Sequence, residues 1–140
     1  MPVLREFLKR IFGGPSTPDA PETWQLKGAP SRLRTKTYSS ESGPAYRYFY
    51  RGYKEIPDGS GRDFVFSVLP QNVAKGVRIL ESEVAQCAAA IGREFAPQER
   101  YAIAKMTLFA AFDSGGIERQ MYFSPNASQM IEYLRQLGRL

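Results

Sequence analysis

The period of the hydrophobic positions changes several times along the chain, and each change predicts an element. In residues 3–12, "VLREFLKRIF", the apolar residues Val3, Leu4, Phe7, Leu8, Ile11 and Phe12 recur four apart, with Arg5, Glu6, Lys9 and Arg10 between them. That spacing sets all six on one stripe and predicts an amphipathic helix over 1–12, stopped by Gly13-Gly14-Pro15. Periodicity then vanishes. Residues 13–44 hold five Pro and four Gly among many Ser and Thr, which predicts an extended arm with Trp24 and Leu26 as apolar anchors.

Alternation with a period of two begins at Ala45. Residues 45–56 and 62–69 read as two strands joined by "PDGSG" at 57–61, a β-hairpin. In residues 71–93, Val73, Val77, Leu80, Val84, Cys87 and Ile91 are spaced four and three apart, the seam of a single helix interrupted only by Gly76. A second, more buried helix is expected over 97–113, with Pro97 in its first turn and Gly115-Gly116 as its stop. "IERQMYF" at 117–123 reads as a third strand. Ser124-Pro125 reads as the start of a last helix that buries Met130, Ile131, Leu134 and Leu137. The expected fold is α+β: a small antiparallel three-stranded sheet, a hairpin plus one later strand, covered by helices. The amphipathic helix and arm precede it, so 45–140 forms the single folded domain.

Composition narrows the function. The 140 residues include nine Phe, eight Tyr and one Trp, enough for a core, and no apolar run approaches the roughly 20 residues of a membrane span. Charges interrupt the N-terminal apolar stretch, so no signal peptide is expected and the protein is placed in the cytoplasm, with attachment at the periphery of a membrane complex as a variant. There is no histidine, which removes the commonest general base and zinc ligand. Glu81/Glu83 and Glu94/Glu99 read as solvated helix faces, and Cys87 as a small hydrophobe on an apolar seam. Neither "PDGSGRD" nor "DSGG" has the spacing of a phosphate-cradling loop. No catalytic residue, cofactor or metal is expected.

Charge is the more pointed signal. Arg32, Arg34, Lys36, Arg47, Arg51 and Lys54 face only Glu41 within 32–54, so that segment alone holds the whole net charge of +5. Its last part, "AYRYFYRGYK", alternates rings and cations. An unbroken strand would put Tyr46, Tyr48 and Tyr50 on one face and Arg47, Phe49, Arg51 and Tyr53 on the other. Two functions follow from these features. The first is a non-catalytic interaction protein, an accessory or assembly subunit docking onto a larger acidic protein. It would dock through Val3, Leu4, Phe7, Leu8, Ile11, Phe12, Trp24 and Leu26 together with the basic segment. The alternative is a nucleic-acid-binding module, RNA above DNA, that uses Arg32, Arg34, Lys36, Arg47, Phe49, Arg51, Tyr53 and Lys54 as a basic, aromatic face. A membrane surface ranks below both partners.

Overall fold

The computed structural model describes residues 26–140; the predicted N-terminal helix and Trp24 lie outside them. The sheet is larger than the pattern predicts. Five strands, β1 (Lys36–Ser39), β2 (Ala45–Glu55), β3 (Gly61–Leu69), β4 (Val73–Leu80) and β5 (Tyr122–Phe123), stand side by side in chain order. β1 to β4 are antiparallel neighbours and β5 runs parallel to β4, so the sheet is mixed. The expectation of three antiparallel strands is therefore corrected to five mixed strands, with three α-helices among the described residues: α1 (Glu81–Ile91), α2 (Glu99–Ser114) and α3 (Ala127–Gln136).

The largest correction falls on 71–93, which is not one helix. Residues 73–80 are β4, paired with β3 along its length, and the chain passes from Leu80 straight into α1. Val73 and Val77 are four apart, and a spacing of four keeps two side chains on one face in a strand as well as in a helix. What separates the two periods is the next core residue: Ile79 is fully buried, and Leu80, which the helical seam requires, only partly. Asn72, at φ 61°, makes the turn from β3. Gly76 has a structural reason in the strand, because a Cβ there would run into the Tyr122 ring laid across it from β5.

Other boundaries move for local reasons. Residues 36–39, inside the segment read as an arm, pair with 45–48 of β2 as β1. Of 117–123 only Tyr122 and Phe123 are strand. After Gly115 (φ 80°) the chain makes a tight 3-10 turn, Gly116–Glu118, which plants Ile117 in the core. α3 is capped by Asn126, not Ser124: its side chain accepts from the Gln129 amide at 2.9 Å while Gln129 Oε1 accepts from the Asn126 amide at 2.8 Å.

All three helices pack on one face of the sheet. Tyr46, Tyr48, Phe64, Phe66, Val77 and Ile79 project from the strands against Ile103, Leu108 and Phe112 of α2 and Met130 and Leu134 of α3. The rings stack in series: Tyr46 on Phe112 at 4.5 Å between centroids, Tyr38 on Phe109 at 4.3 Å, Tyr50 against Tyr101 at 4.7 Å. Such contacts add about 0.5–1.5 kcal/mol each beyond burial.

Candidate anion-binding pocket

At the open edge of β2 the chain is pinned twice and left free between. Lys27 and Tyr53 exchange backbone hydrogen bonds of 2.7 and 2.9 Å, and nine residues later Lys36 pairs with Tyr48. Gly52 permits the first of these pins: it has φ 126°, and a Cβ would come within 2.8 Å of the Lys27 carbonyl oxygen. The chain between the pins forms one wall of a cavity of about 560 Å3. Arg32, Arg34 and Lys36 line that side, and Tyr48, Tyr50 and Tyr101 the other, with Pro30 and Ser31 completing it. β2 supplies two of the tyrosines and α2 the third.

α2 also brings a fourth cation. One turn beyond Tyr101, Lys105 Nζ stands 5.8 Å from the centroids of both Tyr101 and Phe109. Its pKa is lowered, first by burial and then by the neighbouring Lys36 ammonium. Among the described residues, none of Arg32, Arg34, Lys36 and Lys105 forms an ion pair. The hydroxyls of Tyr48, Tyr50 and Tyr101 are held protonated because burial raises all three pKa values. Three cations and three tyrosines thus line one concave place, with Lys105 beside Lys36.

The sequence reading put six cations and two rings on one surface; the sheet divides them. Arg32, Arg34 and Lys36 belong to the pocket, at the edge of the helix-covered face. Arg47, Phe49, Arg51 and Lys54 lie on the opposite face. There Arg51 stacks on Phe49 at 5.7 Å, and Lys54 stands opposite Asp63 in the β2–β3 register. Tyr53 does not join them. A β-bulge between Tyr50 and Gly52 makes Arg51 the extra residue, so alternation changes phase and Tyr53 packs on Phe64 at 5.5 Å on the helix side. Leu26 is half-buried, its Cβ beside Gly52. Val3, Leu4, Phe7, Leu8, Ile11, Phe12 and Trp24 lie outside the described residues. Tyr101 and Lys105 were missed because α2 reads as apolar on most sides. The signal that could have found them is Tyr101, Lys105 and Phe109 spaced four apart, a stripe with a cation at its centre.

The opposite face holds Asp63, which is fully buried and takes a bidentate bond from Arg78 at 2.8 and 2.9 Å. Arg78 is itself 5.5 Å from the Tyr122 centroid. Elsewhere, Glu81 is held by Arg100 at 2.8 and 2.9 Å. Glu99, fully buried, accepts from Arg93 at 2.9 Å twice, from Arg139 at 2.6 Å and from the Ala96 amide at 2.7 Å. The Arg93 contact, with Arg139 and Ala96 adding to it, holds the Glu99 carboxyl down at about 2 against burial. A general acid needs the reverse shift. Among the described residues no three His, Cys, Asp or Glu side chains gather as a metal site, and no helix is long and apolar enough to cross a membrane. Comparison with protein-family models, with curated proteins and with solved structures finds no match.

Proposed function

We propose that the protein is a non-catalytic binding module that docks onto an anionic polymer through the 26–48 edge, and that this polymer is single-stranded nucleic acid, RNA above DNA. One observation carries the reading: tyrosine rings and unpaired cations line the same cavity. Rings offer stacking surface to any base, and guanidinium and ammonium groups meet the backbone. The commitment of Asp63, Glu81 and Glu99 to arginine partners supports a binding role over a catalytic one.

Fluorescence anisotropy with a labelled twelve-nucleotide oligouridylate, titrated across salt concentrations, tests it. Neutralising three or four phosphates should give a log–log slope of about −2 to −3. The Arg32→Gln, Arg34→Gln, Lys36→Gln triple variant should lose most of that slope. No binding at about 50 mM salt, where such contacts are strongest, would remove the reading.

A second reading has its own observation. Leu33, between Arg32 and Arg34, is 53% exposed, and an apolar side chain flanked by cations suits a protein contact. On this reading the chain is an accessory or assembly subunit meeting an acidic protein surface. A polyglutamate peptide that binds while oligouridylate does not would select it.

A further inference from the structure

The cavity gathers more positive charge than an internal stretch of single strand can use. Each phosphodiester carries one negative charge, and a strand that runs along a protein meets its cations in sequence along a path. Here Arg32, Arg34 and Lys36 line a single cavity, and Lys105 stands beside Lys36 behind Tyr101. Two ammonium groups close together with no carboxylate paired to them among the described residues repel each other, and a bound dianion relieves that repulsion.

Hydrogen-bond donors point the same way. Tyr48 lines the cavity, and among the described residues its hydroxyl makes no hydrogen bond. The same holds for the hydroxyls of Tyr50 and Tyr101, whereas Tyr38 and Tyr46 donate to Asp113 and Glu118. Three phenol donors of Tyr48, Tyr50 and Tyr101 around one cavity suit an acceptor-rich group. Tilted rings at 4.7 Å, Tyr50 and Tyr101, leave aromatic surface for a flat partner. A volume of about 560 Å3 falls within the usual range of small-ligand sites, about 300–1,000 Å3.

We infer that the pocket takes a nucleotide bearing a terminal phosphate monoester, its phosphate among Arg32, Arg34, Lys36 and the phenol hydroxyls and its base against Tyr50 and Tyr101. The monoester carries about −1.5 to −2 and three acceptor oxygens, a match for these donors that a diester lacks. The same chemistry is presented by the end of a single strand and by a free nucleotide. This inference rests on the nucleic-acid reading of the pocket and specifies which part of the ligand enters it.

The experiment compares ten-nucleotide oligouridylates that end in a hydroxyl or a phosphate, at the 5′ and at the 3′ end, with uridine monophosphate as a competitor. One phosphorylated end should bind at least tenfold tighter than its hydroxyl counterpart. Arg34→Gln should reduce that gain to threefold or less, and Tyr101→Phe, which keeps the ring and removes the hydroxyl, should reduce it in part. Both variants are checked for an unchanged melting temperature, and Lys36→Gln, at an exposed position, substitutes for either one that fails. If uridine monophosphate competes as well as the phosphorylated oligomer, the ligand is a free nucleotide; if it competes far more weakly, it is a strand end. Equal affinity for hydroxyl and phosphate ends, with no competition by the mononucleotide, overturns this inference and leaves the nucleic-acid reading standing. Binding of polyglutamate alone overturns both.

Discussion

Arginine is used in two ways in this protein, and the division follows position along the chain. From β3 onwards, six of the seven arginines, Arg62, Arg78, Arg93, Arg100, Arg135 and Arg139, each reach a carboxylate, the exposed Arg119 being the exception, and three of those carboxylates, Asp63, Glu81 and Glu99, are held by paired contacts. These pairs join elements: β3 to β4, α1 to α2, and the C-terminal residues to the start of α2. At the 26–48 edge, Arg32, Arg34 and Lys36 are exposed and none forms an ion pair among the described residues. A buried carboxylate needs its partner, because an unpaired charge in the interior costs several kcal/mol. An exposed cation needs none and adds little to stability. The paired set is therefore spent on the fold, and the edge set is available to a ligand.

Variants that exchange the two roles test this contrast. The largest effect should come from Glu99→Ala, which removes the fully buried carboxylate that Arg93, Arg139 and the Ala96 amide share. The expected loss is about 3–5 kcal/mol of unfolding free energy, read from urea titration, with oligonucleotide affinity of the folded fraction unchanged. Arg78→Met leaves Asp63 buried and unpaired on the second face and should cost about 2–4 kcal/mol by the same assay.

Acid should reveal the paired set without mutation. The folded-state pKa of Glu99 lies at about 2 against an ordinary 4.5. The stability it contributes is thus complete above about pH 4.5 and is lost as the pH falls from there towards 2. The drop should be visible in melting temperature and smaller in Glu99→Gln, which has nothing left to titrate at that site. An acid profile identical in the variant would show that the pair is not the source. Smallest of all should be the stability change in Arg32→Gln with Arg34→Gln, within about 0.5 kcal/mol, although this variant should lose polyanion binding. A large loss of stability there would erase the contrast.

Gly76 and Tyr53 show where reading from sequence succeeds and where it stops. The β2–β3 hairpin and the three tyrosines turned under the helices are legible, because the regular alternation of 45–50 leaves few alternatives. Gly76 is misleading, since a glycine in a helical seam and one under a crossing ring look alike until Tyr122, forty-six residues later, is placed over it. Tyr53 is misleading for a subtler reason. One extra residue at Arg51 inverts the face of everything after it, and bulges have no signature in side-chain polarity. The pocket fails for a third reason: its two walls come from residues 30–50 and from α2, and no local pattern joins them.

The chain by itself thus determined what is periodic and what is counted: the hairpin, the last two helices to within a few residues, the aromatic core of β2, and the concentration of net charge in 32–54. These follow from neighbours in sequence, where side-chain period and charge are additive. Tertiary structure decided what depends on pairing between distant segments. It recruited β1 into the sheet, set β5 parallel to β4, turned part of a supposed helix into β4, sent Tyr53 to the opposite face from the one expected, and brought Lys105 beside Lys36. Each of those outcomes is fixed by a contact of long sequence separation, whose free energy no window along the chain contains.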